Sequence, residues 1–393
     1  PIAVTIGTCM RILNALDFSP EFPGGMVRLL EALGRSAEAV GHEILVAFPR
    51  HREWQSELGA SAKVQILPEI TRPLRSGFPN ALRSVCEKEA VDMMHFHFSF
   101  ALPFSLTCSP RLWRTPSIYH WHNPPKPLCL DRQDGRSLKT WVTQQIPTFV
   151  ARLTDNRVID LHIAISEEIR ELLISHRWAA REKIELLRNG VSIPGCTQNR
   201  AGPENGAVPI VGSVASFRPQ KDHDTLVRAF HRLTEMGTKA ELWLVGDGPT
   251  RPAIERLVSE LGLAGRVCFL GTVANAQDLY SRFTVFVLST NYEGHPLVLL
   301  EAMAHGLPIV ATSTSSIPEI VTHSEEALLV SPRRPAELAA ALQAVLTDSQ
   351  LRSAIGANAC ARVKRDHDIS NWSGTVINCY ERLYTKKHLR TVA

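Results

Sequence analysis

Two carboxylates with seven residues between them, Glu293 and Glu301, bound the run Glu293-Gly294-His295-Pro296-Leu297-Val298-Leu299-Leu300-Glu301. The apolar segment Val285–Leu288 just before it reads as a buried strand, and Pro296 suits the first turn of a helix. The run is therefore a strand-to-helix junction. Gly294 lets backbone approach a ligand closely, and the free N–H groups of a helix start bind phosphate. Glu293 then lies in the loop and Glu301 in the second helical turn, where a carboxylate can accept both hydroxyl protons of a ribose. Taken singly, Glu293 reads rather as a helix-capping carboxylate, and Glu301 as a solvated helix residue.

The first half offers two more constellations. Pro23-Gly24-Gly25-Met26 precedes the first clear helical pattern, and adjacent glycines there let backbone amides crowd a phosphate or a sugar. A Gly-Gly alone is also an ordinary turn. Ile118-Tyr119-His120-Trp121-His122-Asn123 ends an apolar run with two histidines that strand alternation puts on one face. A neutral imidazole can hydrogen-bond a sugar hydroxyl without adding charge. One of the two serves as well as a structural histidine, and His95 and His97, ending another run, read as wall or packing residues. Ser166-Glu167-Glu168 reads as a helix start with Ser166 at the N-cap.

Such groups need strand-to-helix junctions, and the chain is full of them. Strand-like runs at 2–6, Glu43–Phe48, 63–67, 93–98, 117–120 and 161–165 fill the first half, with a helical pattern at 26–39 (Val27, Leu29, Leu30, Leu33, Ala37). A Gly/Pro-containing stretch at 195–207 reads as a linker. Strands at 209–215, Glu241–Val245, 267–270, Val285–Leu288 and 308–311 then alternate with helices near 222–236, 250–262, 275–282 and 296–304. From about 334 the chain is helical, with Trp372, Ile377, Tyr380 and Leu383 on its last apolar face. This α/β alternation implies parallel sheets, whose ligands bind at the carboxyl ends of the strands.

At 393 residues the chain exceeds one compact core, and 44% hydrophobic with 21% charged residues describes a globular protein. Its formal charge of +4 comes from residues 1–200, with 24 Lys plus Arg against 20 Asp plus Glu; the remainder has 19 of each. With no basic stripe interleaved with aromatics, nucleic acid is not an expected partner. Cysteines at 9, 86, 108, 129, 196, 268, 360 and 379 lack C-x-x-C or zinc-like spacing and read as buried or idle thiols of a reducing compartment. No basic segment leads into a long apolar run, and no apolar run nears 18 residues. The expectation is a cytoplasmic protein, with peripheral membrane contact and oligomeric state left open.

Ser-Thr-Asn-Tyr-Glu-Gly-His-Pro-Leu-Val-Leu-Leu-Glu-Ala-Met-Ala-His-Gly-Leu-Pro-Ile-Val-Ala-Thr, residues 289–312, resembles the signature of the retaining glycosyltransferases of family 4. Leu244-Val245-Gly246-Asp247-Gly248-Pro249 and Phe269-Leu270-Gly271 resemble strand ends of that family, and residues 214–222 its basic donor-phosphate loop. Gly24-Gly25, the run 41–46, His122-Asn123 and Arg188-Asn189-Gly190-Val191 also match. The likeness covers about half the chain, in order.

It implies the GT-B fold, two Rossmann-like doubly wound domains facing across a cleft: an acceptor domain at 1–200, a nucleotide-sugar domain at 201–369, and a helix at 370–393 returning to the first. It further implies transfer of a sugar, with retention, from a UDP- or GDP-sugar to a hydroxyl of a glycan, lipid-linked or small-molecule acceptor, with neither cofactor nor metal. Glu293 then holds donor-sugar hydroxyls, Glu301 the ribose, and His122, with His120 in reserve, the sugar. Lys221, a point charge, and Arg218, a fork of donors, take up leaving-group charge. Gly24, Gly25, Ser216, Gly246, Gly294, His295, Pro296 and Leu297 line the donor, and Val273 lies where backbone would read the base. No carboxylate in the first half stands out as a nucleophile, which favours a front-face route assisted by the leaving phosphate. Two departures stand out: the family's Gly-Arg pair is Ala215-Ser216, and its Gly-Gly before Ile-Pro-Glu is Ser315-Ser316. A phosphorylase or epimerase on the same fold, and a sugar-nucleotide-binding protein without catalysis, are the alternative readings.

Overall fold

The computed structural model describes residues 9–20, 24–71, 77–98, 106, 110–124, 158–194 and 207–392. They form two compact units: Pro1–Glu21, Met26–Arg188 and Trp372–Ala393 make the first, and Phe22–Gly25 with Asn189–Asn371 the second.

The first unit holds a parallel sheet of β1 (Arg11–Leu16), β2 (Glu43–Phe48), β3 (Lys63–Ile66), β4 (Met93–His97), β5 (Ser117–Trp121), β6 (Leu161–Ala164) and β7 (Ile184–Leu186), in the order β3-β2-β1-β4-β5-β6-β7. The second unit holds β8 (Ile210–Val214), β9 (Glu241–Val245), β10 (Val267–Gly271), β11 (Val285–Leu288), β12 (Ile309–Thr312) and β13 (Leu328–Val330), also parallel, in the order β10-β9-β8-β11-β12-β13. Parallel strands are covered on both faces and so read as unbroken apolar runs. Residues 44–48 and 285–288 are all buried.

Helices supply the cover. The helix Gly25–Ala39 buries Val27, Leu29, Leu30, Leu33 and Ala37, the helical spacing visible in the sequence. Ser166 caps the helix Glu167–Ser175 by accepting from the Ile169 amide at 3.2 Å. From Trp372 on, the helix Ile369–Val392 belongs to the first unit, bonded through Ser373 to Ser36 (2.7 Å), through Tyr380 to His95 (2.7 Å) and through Lys387 to Asp160 (2.7 Å).

In each sheet the strand order reverses once, between β1 and β4 and between β8 and β11. Loops leaving the carboxyl ends of those pairs diverge and open a crevice. His97 and the loop after Leu16 lie at the first switch point, the loops 215–222 and 289–296 at the second.

Several elements differ from the sequence reading. The first described strand is Arg11–Leu16, a segment the reading left unassigned; the run 2–6 lies outside the described residues, as does most of the linker at 195–207. β7 and β13, three residues each, were too short to show a period. Cys9, Cys86, Cys268 and Cys379 are free thiols, but Cys360 is disulfide-bonded, so idle thiols throughout is corrected there. Among the described residues no helix is long and apolar enough to cross a membrane.

Candidate active site

In the second unit the chain leaves β8 through Ala215-Ser216-Phe217-Arg218, makes a single 3₁₀ turn at Pro219–Lys221, and enters the helix His223–Glu235. Asp222 joins the two in the left-handed region (φ 48°), its carboxylate accepting from the Thr225 amide (3.3 Å) and hydroxyl (2.8 Å). Backbone bonds hold this loop against the end of β9: Ala215 N–H donates to Val245 O and Phe217 N–H to Asp247 O, each at 2.9 Å. Gly246 has φ 131°, and a Cβ there would lie 2.2 Å from the Ala215 carbonyl oxygen, so only glycine fits. Ser216 and Arg218 are exposed at the loop's tip.

After β11 the chain runs through Ser289-Thr290-Asn291-Tyr292-Glu293-Gly294-His295 to the helix Leu297–Ala304, with Pro296 at its N-cap, one residue before its expected place. Short hydroxyl side chains tie this loop to its neighbours. Ser289 Oγ lies 3.1 Å from the carbonyls of both Lys221 and Asp222, and Thr290 Oγ1 donates to Gln220 O at 2.9 Å. Thr312 donates to Thr290 O (2.5 Å), Thr314 to Asn291 O (3.0 Å) and Ser316 to Glu293 O (3.3 Å). The outcome is an ion pair between Lys221 Nζ and Glu293 Oε1, with Glu293 only 7% exposed. A buried pair persists where both partners are held and further bonded.

Glu301 is not the solvated residue its position allowed. It is 5% exposed, amid buried Leu299, Leu300, Ala302, Met303 and Ala304, and accepts from the Tyr280 hydroxyl at 2.8 Å. Gly25, grouped with this unit, sits so close that a Cβ would stand 2.7 Å from Leu297 Cδ1 and 3.4 Å from Glu301 Oε1. Gly24 is exposed, with nothing near its missing Cβ. Gly294 and His295 are buried, and Val273 is partly buried just past β10. Sequence reasoning missed the work of Asn189, whose Nδ2 donates to His295 O (3.0 Å), and of Tyr280, which carries no motif.

In the first unit the histidines gather. His120 and His122 stack at 4.3 Å, as one strand face requires, although β5 ends at Trp121 and His122 lies just beyond it. His97 Nε2–H donates to Asn14 Oδ1 (3.0 Å), leaving its Nδ1 to accept from His122 Nε2–H (2.9 Å). That chain requires a neutral His97. Burial, aided by the neighbouring imidazoles, holds His95, His97 and His120 well below the usual histidine value, and burial pushes His122 down to about 3.

Ligand atoms of His95, His97 and His120 come within 4.8 Å of one another. The rings of His95 and His120, however, are parallel to 1° and stacked at 5.3 Å. The two rings thus lie parallel on neighbouring strands. Asp17, directly after β1, was also missed: burial raises its carboxyl to about 6. It stands beside Phe18, whose ring meets Phe98 edge-on at 4.7 Å, while Phe98 stacks on His122 at 4.3 Å.

The sequence matches the model described as Glycosyltransferase Family 4 over residues 23–193 and the one described as Glycosyl transferases group 1 over 208–348. It is 35% identical over 159 residues to the putative glycosyltransferase EpsF of Bacillus subtilis, covering 38% of this chain and 41% of that protein. It is 33% identical over 172 residues to the N-acetyl-alpha-D-glucosaminyl L-malate synthase of Bacillus anthracis, covering 44% of each. These alignments therefore span less than half of the relatives' lengths. The fold is similar to that of HepE from Anabaena in complex with UDP and glucose (TM-score 0.76, 22% identity, 95% of this chain and 100% of that one). It is also similar to a sucrose-phosphate synthase from Thermosynechococcus elongatus (TM-score 0.78, 20% identity, 96% and 100%). Two doubly wound parallel-sheet units of this kind are the GT-B fold. With family models matching along both units, the chain belongs to glycosyltransferase family 4.

Proposed function

We propose that the protein transfers a glycosyl group, with retention, from a nucleoside-diphosphate sugar to a hydroxyl acceptor. One observation carries the reading most: Lys221 and Glu293 meet as a buried pair at the switch point of the second sheet, with Glu301 on the adjoining helix. In this reading Lys221 moves its charge to the departing diphosphate, supported by Arg218, by the amides near Gly294, and by Gly24 and Gly25. Freed of its cation, Glu293 accepts hydroxyls of the donor sugar, and Glu301 accepts those of the ribose. Gly246, Ser216, His295, Pro296 and Leu297 shape the donor's surroundings, and Val273 lies beside the base. His122 contributes a neutral imidazole to the sugar. Transfer proceeds on the front face, the leaving phosphate accepting the proton of the incoming hydroxyl; no metal enters the scheme. UDP- and GDP-linked hexoses are the donors expected, and glycan, lipid-linked and small-molecule alcohols the acceptor classes.

Binding to the native state raises apparent stability, so a thermal-shift screen across UDP- and GDP-sugars should single out one nucleotide. Glu293→Gln should retain that nucleotide yet lose sugar transfer. A wild-type protein whose melting responds to no nucleotide-sugar sinks the reading, and a covalent glycosyl–protein adduct sinks the front-face route.

A further inference from the structure

Glu301 presents a physical problem that the proposed donor site does not by itself solve. A carboxylate 5% exposed in an apolar helix needs donors of its own, and accepting a vicinal diol in two bonds needs the carboxylate plane fixed beforehand. Tyr280 answers both needs. It ends the short helix Gln277–Tyr280 with no exposed surface, and its ring is hemmed in by Phe283 (5.9 Å, edge-on), Phe286 (5.9 Å) and His305 (5.1 Å, stacked). So confined, its hydroxyl lies 2.8 Å from Glu301 Oε2 and 3.4 Å from Val298 O. A phenol has one proton, and the shorter of the two contacts, to Glu301, takes it.

We infer that Tyr280 is a positioning residue, which orients the Glu301 carboxylate through Oε2 and directs its remaining acceptor capacity to the two ribose hydroxyls of the donor. This rests on the donor-site reading given above. Tyr280 touches no substrate; it sets how well the site separates a ribonucleotide from one lacking those hydroxyls.

The test measures Kd by calorimetry for UDP, GDP and ADP and for their 2′,3′-dideoxy counterparts. In the wild type the preferred ribonucleotide should bind at least tenfold more tightly than its dideoxy form. Tyr280→Phe keeps the ring and its packing. It should weaken the ribonucleotide about tenfold and leave the dideoxy form within twofold, collapsing the ratio. In a Glu301→Gln background, adding Tyr280→Phe should change the ratio no further. A packing defect would instead weaken both forms alike. A wild-type ratio retained in Tyr280→Phe, or both forms weakened equally, overturns the inference while leaving the donor site standing. Failure of the wild type to bind any of the nucleotides overturns the donor site and the inference together.

Discussion

Lowering the pH from 7 to 5 should unfold the first unit while the second holds. Five buried histidines there, His95, His97, His120, His122 and His162, are all held below the ordinary value of 6.5, the last two at about 3, with burial the leading cause in each case. For a base depressed in the folded state, the unfolded chain takes up the proton first. Stability is therefore full above 6.5 and is lost as the pH falls from 6.5 toward the folded values. At pH 5 an unfolded histidine is favoured by about 2 kcal/mol relative to pH 7, so five together amount to roughly 10 kcal/mol at most, the size of a domain's whole stability. Urea unfolding followed by fluorescence should show the midpoint of the transition sensed by Trp121 and Trp178 falling steeply below pH 6.5, with several protons taken up on unfolding. His120→Gln, at a position that makes no side-chain hydrogen bond among the described residues, should lower that proton count by about one. A midpoint flat between pH 7 and 5 would refute the neutral stack, as would a proton count that the substitution leaves unchanged.

Four other outcomes follow from single positions. Lys221→Met leaves Glu293 buried without its cation, which should cost the second unit about 3–5 kcal/mol in denaturant titration and abolish transfer. Gly246→Ala forces a Cβ against the Ala215 carbonyl at φ 131°; backbone strain alone should cost about 1–3 kcal/mol, read as a lower melting temperature. Asp17 has its folded value raised from 3.8 to about 6, so its ionisation opposes folding: the stability it gives at low pH is lost as pH rises through 6. Asp17→Asn should therefore stabilise the first unit by about 1–2 kcal/mol at pH 7.5, with a gain that shrinks below pH 6, as repeated melts across that range will show. Ser315 has φ 48°, a region glycine enters at little cost, so Ser315→Gly should raise stability by up to about 1 kcal/mol and leave nucleotide affinity unchanged.

What the sequence disclosed and what it hid follow from how each signal is written. Strands such as Glu43–Phe48 and Glu241–Val245 were legible to the residue, because burial on both faces demands an unbroken apolar run. Arg11–Leu16 was passed over although it lies inside its sheet, between β2 and β4; its Asn14, buried to hold His97, interrupts the apolar signal. At the site, Glu293, Glu301 and Lys221 could be found, because loop-to-helix spacing and charge are properties of residues. Their partners could not. Tyr280 stands 21 positions from Glu301, Asn189 stands 106 from His295, and nothing local to either marks the contact. Nor does spacing tell that Lys221 and Glu293, assigned to separate parts of a ligand, are bonded to each other.

The Ser315-Ser316 departure belongs with that last point. Glycines at a loop of this kind give freedom of backbone, and position 315 does require a left-handed residue. Ser316 does something a glycine cannot: its buried hydroxyl donates to the carbonyl of Glu293, as Thr314 does to Asn291 and Thr312 to Thr290. Three alternate residues of one segment thus hold the carbonyls of residues 290, 291 and 293 in the neighbouring loop. Each bond contributes only about 1 kcal/mol, yet together they leave Glu293 little choice of position. A carboxylate fixed in this way can hold Lys221 as a buried pair, because the ordering cost that opposes such a pair is met in the backbone. In this protein, then, serine at 316 in place of glycine exchanges loop freedom for a fixed acid. The strain at Ser315 is what the chain tolerates to keep it there.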